Sequence, residues 1–307
     1  MYWVLRRRTI FGRSLRRVRV ERGRLDDVAA QRSSRSGPVG FGGNDSSSKA
    51  GPAVVETQTV WTFTPDEFAW VWTETGLDEY PEPLSIIEST TTQDEYAQLV
   101  AEISARYPRG GDPDLTGPLQ VLAHPDLRII CRGRSHNSHK RVRSLGAAVG
   151  ELGVILFQKS GTTADFGGDI KLVVTRRSQL PRHIAATMPP ASGGAAERML
   201  GYTPRVRGDE PPSSWHRAPD GEHAVEERIR SLLRLRRNAE GHFRIERVGV
   251  GGRPRPPLYL SWIDVQTGQP EAGRYIISVT DNDTTVMPAS ADVVARELSH
   301  RAALDHA

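Results

Sequence analysis

Two runs of strand-like segments, each enclosed by helical ones, constrain this chain more than any motif in it. In the second run, Leu258/Leu260/Trp262 and Tyr275/Ile277/Val279 follow the period of two that half-buried strands require. A further short strand ends at Val286-Met287-Pro288, and Ser290 can then cap a helix with Val293, Val294 and Leu298 on one face. The spacing predicts strands over 127–134, 142–149, 154–158 and 170–174 in the first run, and over 243–248, 258–264, 274–280 and 284–287 in the second. Gly, Ser, Asn or Asp turns separate the members of the first run, which favours an antiparallel meander over crossover connections.

The helical signals are local. After a strand over 57–63, Thr64-Pro65-Asp66-Glu67 forms a capping box with Pro at the first helical position. Phe63 and Phe68 are spaced to form a hydrophobic staple, Trp72 continues the apolar face, and Gly76 stops the helix. A second box, Thr92-Gln93-Asp94-Glu95, opens a helix with Tyr96, Leu99, Val100, Ile103 and Tyr107 on one side, ended by Pro108. Shorter helices are expected at 116–123 and 178–187. Another, over 222–237, carries Val225, Ile229, Leu232 and Leu233 as its apolar stripe. Helix, four strands, helix therefore occurs twice. The predicted class is α+β, an antiparallel sheet flanked by helices with a pseudo-two-fold repeat of element order.

Charge divides the chain differently. Residues 1–50 carry 11 Arg and one Lys against four acids, so the overall +4 hides a basic tail and a body that is mildly acidic. The expected organisation is a disordered basic tail at 1–55, a first half over 56–188, a Pro-rich loop at 189–221 and a second half over 222–307. An acidic body gives no broad reason to bind nucleic acid. The arginines at 6–24 could hold phosphate backbones without sequence preference. The reading adopted is an inert tail, which a start site placed too far upstream would also produce, since no methionine follows Met1 until Met188. No stretch reaches the ~18 apolar residues of a membrane span. Arg6, Arg7, Arg8 and Arg13 interrupt any signal-peptide core, and the single Cys131 suits a reducing compartment. A cytoplasmic protein without membrane insertion is expected.

Little in the chain points to chemistry. Cys131, His136 and His139 are the nearest approach to a metal set, but Cys131 shares a strand face with Leu127 and Ile129, and no fourth ligand is evident. Gly249-Val250-Gly251-Gly252 lacks the ending of a phosphate loop, and Asp281-Asn282-Asp283 lacks the length of a calcium loop. Both read as turns between strands. Arg207-Gly208-Asp209 reads as a chance tripeptide, and Trp61, Trp70, Trp72 and Trp262 as packing residues. No nucleophile stands with a base, so neither an enzyme nor a cofactor is expected.

Three stretches resemble a known family. They are Phe63-Thr64-Pro65-Asp66-Glu67-Phe68 with its tryptophans, Pro81-Glu82-Pro83-Leu84 before a capped helix, and Pro257-Leu258…Trp262-Ile263-Asp264…Gly273-Arg274-Tyr275…Pro288-Ala289. Over about 57–304 the chain is similar to the EspG family of ESX (type VII) secretion-associated proteins. The resemblance implies a pseudo-symmetric antiparallel sheet with two helical bundles. It also implies a cytoplasmic chaperone that binds the PPE tip of PE–PPE heterodimers and keeps them soluble before export, with no cofactor. The family's mobile loop between the second and third strands, which contacts the substrate in relatives, falls here on Ser135, His136, Asn137, Ser138, His139 and Lys140. The tail and the Pro-rich segment depart from the family pattern. The alternative is a nucleic-acid-associated protein acting through the Arg-rich arm.

Overall fold

Thr64 caps the first helix as its sequence predicts. In the computed structural model, which describes residues 59–303 apart from 88, 91, 164–165, 212–223 and 281, its Oγ1 accepts the Glu67 amide at 3.2 Å. The Glu67 carboxylate accepts the Thr64 amide in return at 2.9 Å. The box joins strand β1 (Val60–Phe63) to helix α1 (Pro65–Trp72), and the Phe63 and Phe68 rings meet edge-on with centroids 6.0 Å apart. A 3₁₀ turn then ends at Gly76, whose φ of 73° is left-handed and suits glycine. The second box, Thr92 with Glu95, opens α2 (Gln93–Arg106), and α3 (Pro113–Ala123) starts earlier than its apolar spacing suggests. Tyr96 does not join the apolar face of α2: it is 51% exposed, and Ile103 is the helix's buried residue.

The first meander is β2 (Leu127–Ser135), β3 (Arg141–Val149), β4 (Leu152–Ser160) and β5 (Gly167–Arg176), closed by α4 (Leu180–Ala186). The segment read as a Pro-rich loop holds, in its described part, a strand β6 (Met199–Tyr202) and a helix α5 (Thr203–Arg207). Its end, like the basic tail, lies outside the described residues. Helix α6 (Val225–Arg234) leads into β7 (Arg237–Arg247), β8 (Leu258–Val265), β9 (Gly273–Val279) and β10 (Asp283–Pro288). Ser290 then accepts the Val293 amide at 3.4 Å at the start of α7 (Ala291–Ala303).

All ten strands form one antiparallel sheet in the order β1-β5-β4-β3-β2-β7-β8-β9-β10-β6. The order reads the same from either edge. Each half is a meander with its own edge strand, and the halves meet where β2 pairs with β7. A pseudo-two-fold axis between these two strands relates β3 to β8, β4 to β9, β5 to β10 and β1 to β6. The fold is α+β, as expected, with an edge strand added to each repeat.

Strand parity assigns the layers. On one side α4 and α7 pack on each other across the axis and cover Leu127, Ile129, Cys131, Phe243, Ile245 and Trp262. On the other side, α1–α3 cover Leu145, Leu156 and Leu172 of the first half, while α5 and α6 cover Ile263, Ile277 and Val286 of the second. The registers Ile130–Arg244 and Arg244–Tyr259 put these two bundles on the same side of the sheet. Gly133 and Gly241 face each other at the axis, and this pairing requires glycine. A Cβ on Gly133 would lie 2.4 Å from the Trp262 ring, and one on Gly241 would lie 2.0 Å from the Arg132 carbonyl oxygen.

Candidate functional site

Between the two bundles, the face of β2 and β7 opposite α4 and α7 carries charge. The period of two places Arg128, Ile130, Arg132 and Arg134 there on β2, and opposite them Glu246, Arg244, His242 and Glu240 on β7. These strands border a cleft of about 640 Å³, which Pro83, Arg141, Arg143, Ser261 and Ile263 also line.

Its carboxylates sit among arginines. Arg134 donates to Glu240 Oε1 from Nε and Nη2 at 3.0 and 2.6 Å, and Arg237 donates to Oε2 at 2.5 Å. Burial alone would raise the Glu240 carboxyl. The hydrogen bonds and charges of Arg134 and Arg237 outweigh it and hold the group below the usual carboxylate range. Partial burial, reinforced by Arg132 and Arg244, holds the His242 imidazole below its ordinary 6.5, so it is neutral at pH 7. Glu82, from the segment between α1 and α2, reaches Arg132 at 3.1 Å and Arg244 at 2.7 Å.

The six predicted contact residues come together at one mouth of this cleft. Ser135 ends β2, and its amide donates to the Lys140 carbonyl at 2.8 Å, closing the hairpin. The His136 amide donates to the Asn238 carbonyl at 2.7 Å, and Asn137 Nδ2 donates to Asn238 Oδ1 at 2.9 Å, which ties the turn to the start of β7. His136 Nε2 lies 3.3 Å from Glu240 Oε1. His139 adopts a left-handed φ of 55°, and residues 136–140 are all exposed. Cys131 belongs to the other side of the sheet, where complete burial pushes its thiol up to about 12. Among the described residues, no three His, Cys, Asp or Glu side chains converge as a metal site would require.

Residues 64–300 match the family model described as the EspG family. The chain belongs to the EspG family. A similar solved structure is the Mycobacterium tuberculosis type VII secretion system chaperone EspG5, determined in complex with the PE25–PPE41 dimer. It aligns with a TM-score of 0.53 at 14% identity over 80% of this chain and 96% of that one. At that identity the likeness shows the fold. HtdX of Mycobacterium tuberculosis aligns over 75% of this chain and 100% of its own at 14% identity, but a TM-score of 0.16 bears no argument. No curated protein matches the chain in sequence.

Two features of this EspG fold escape a reading of the alternation for its apolar half. One is the set of arginines in the cleft, whose signal is the spacing Arg132/Arg134 and Arg141/Arg143 on either side of the turn. The other lies in the α4/α7 layer. Arg274 and Asp264, opposite each other on β9 and β8, have side chains 1% and 5% exposed and share two hydrogen bonds of 2.7 Å. Arg274 also donates to the Pro189 carbonyl at 2.5 Å and lies 5.5 Å from the Trp262 ring centroid. Its amide donates to the Ser192 carbonyl at 2.8 Å, and its carbonyl accepts the Gly194 amide at 2.9 Å. The pair thereby fastens the backbone that leads to β6, a role in holding the fold together.

Proposed function

We propose that this EspG-family chain is a cytoplasmic secretion chaperone without enzymatic activity. It binds a PE–PPE heterodimer through the tip of the PPE subunit and keeps the pair soluble for type VII (ESX) export. The observation that carries this reading is the family match over residues 64–300. The like fold of EspG5, a structure that holds a PE25–PPE41 dimer, supports it.

The shape suits the task. A sheet of ten strands with helices over both outer thirds is rigid, and it leaves a recess between the bundles that a protruding tip can enter. An apolar helical tip aggregates unless something covers it. The hairpin residues Ser135–Lys140 stand at the mouth of the recess and are the proposed specificity contacts. A contact of this kind buries on the order of 1,200–2,000 Å². Among the described residues, no helix is long and apolar enough to cross a membrane.

Co-expression of the full-length chain with each PE–PPE pair of the source genome, followed by size-exclusion chromatography, tests the reading. One pair is expected to co-elute with the chain. If every pair elutes apart while each partner is folded, the chaperone reading fails.

A further inference from the structure

The backbone bond that ties the β2–β3 hairpin to β7 belongs to the symmetry of the fold, but the side-chain bond beside it does not. Leu127 and Ala239 open the ladder shared by β2 and β7, and Ser135 and Arg247 end it, so the pseudo-two-fold places Asp126 with Asn238 and His136 with Val248. The His136 amide donates to the Asn238 carbonyl, and at the far end of the same strands the Val248 amide donates to the Asp126 carbonyl at 2.8 Å. The side chains then part company. Asn238 Oδ1 turns to the hairpin and accepts from Asn137 Nδ2. The Asp126 carboxylate turns away, to the Gly150 amide at 2.9 Å and to the Arg177 guanidinium. The fold closes its other end without such a bond, so the bond serves the hairpin.

Both flanks of the hairpin carry such a device. On β7, Arg237 pairs with Val265 and Ala239 with Asp264, so Asn238 between them is unmatched on β8. An extra residue of this kind bends its strand and re-aims a side chain. On the other flank, the β3–β4 ladder is paired only as far as Ser144 and Phe157, and the β4–β5 register slips between Gln158 and Ser160. Beyond that rung the Ser160 hydroxyl takes both backbone groups of Arg141, accepting its amide at 2.8 Å and donating to its carbonyl at 3.1 Å. Within the turn, the Ser138 amide donates to Ser135 Oγ at 3.4 Å.

Resting on the chaperone reading, we infer that Asn238 and Ser160 are positioning residues. From β7 and β4 they clamp the two flanks of the hairpin, so that Ser135–Lys140 meet the PPE tip already in their bound pose. An exposed polar loop held only at its base samples many poses. The resemblance implies a mobile loop at this place, and the two latches replace that mobility with a set conformation. A loop ordered beforehand loses less freedom on binding. A chain whose competent pose is only partly populated binds more weakly by that fraction.

The test uses the full-length chain as wild type, Asn238→Ala, Asn238→Asp and Ser160→Ala. Asn238→Asp keeps an acceptor oxygen for Asn137 and serves as the rescue. Backbone hydrogen exchange across 135–141 is measured in the free chain, and association and dissociation rates are measured with a PE–PPE pair that co-elutes with wild type. Exchange is expected to quicken about tenfold in both alanine variants and to return towards wild type in Asn238→Asp, with thermal midpoints little changed. Association is expected to slow several-fold in the alanine variants while dissociation holds, because the competent pose is rarer and the contacts made in it are the same. A side chain that merely touched the partner would speed dissociation instead. If Asn238→Ala misfolds, Ser160→Ala decides from the other flank. Unchanged exchange in both alanine variants would overturn the proposal, as would quickened exchange with unaltered association, or Asn238→Asp as impaired as Asn238→Ala. In each of these cases a co-eluting pair leaves the chaperone reading standing. If no pair co-elutes, that reading fails, and quickened exchange then supports the latches without it.

Discussion

The two faces of β2 and β7 share one backbone and one ladder of hydrogen bonds, yet one is apolar and the other, Ile130 apart, is charged or polar. Toward α4 and α7 the strands present Leu127, Ile129, Cys131, Phe243 and Ile245, none more than 2% exposed. Toward the cleft the same strands present Arg128, Arg132, Arg134, His242 and Arg244. The covered face answers to packing, where a lost methylene leaves a void. Apart from Ile130, which is buried in the core under α1–α3, the open face has little packing to satisfy, so its charged residues can answer to a partner. One strand period separates what holds the fold from what the fold displays.

The contrast breaks most visibly on the covered face. Asp264→Ala leaves the Arg274 guanidinium buried without its carboxylate, and urea denaturation is expected to show a loss of about 3–5 kcal/mol. At the axis, Gly241→Ala drives a Cβ to within 2.0 Å of the Arg132 carbonyl oxygen, so β2 and β7 must part there. A loss of about 1–3 kcal/mol in the same assay is expected, because overpacking is felt where backbone cannot give way.

The open face responds weakly and in the other direction. Arg141→Gln removes the like-charge pair with Arg134 directly opposite it, and at low salt it is expected to raise stability by about 0.2–1 kcal/mol, with the gain fading as salt rises. Acid gives the smallest effect. The His242 imidazole is held below 6.5 in the folded chain, so the unfolded chain takes up its proton first as pH falls. Its contribution is therefore present above pH 6.5 and is lost on acidification through the lower folded-state value. His242→Gln should flatten thermal midpoints across that step. The loss linked to Glu240, also held low, should persist at more acidic pH.

The same division governs what is legible in the sequence. Signals that close within a turn can be read directly: Thr64 with Glu67, Thr92 with Glu95, Phe63 with Phe68. Alternation reveals the strands wherever one face meets water. It fails in β9, where Tyr275, Ile276 and Ile277 are all buried because helices cover both sides, while Val279 is exposed. Strand β6 is hidden because Met-Leu-Gly-Tyr has no period of its own and owes its form to pairing with β10, far along the chain. Nothing local to Arg274 marks it as buried, since its burial depends on Asp264 opposite it on β8. The turn at 135–140 is legible as a turn. Its place at the mouth of a cleft depends on β2 pairing with β7, a contact that no local pattern announces. Arg132, Arg134, Arg141 and Arg143 are plain in the sequence, but their sign gains meaning only once no helix lies over them.

Hydroxyl-radical footprinting of the complex with a co-purifying PE–PPE pair tests the division most directly. Protection is expected at Tyr259 and Val279 on the open face and at His136 and His139 at its mouth, all exposed in the free chain. Val149 and Leu152, at the other end of the strands, and Leu200, on the α4/α7 side, are also exposed and are expected to react as before. Protection of Val149, Leu152 and Leu200, with Tyr259 and the hairpin histidines as reactive as in the free chain, would contradict the assignment of the open face as the surface that receives the partner.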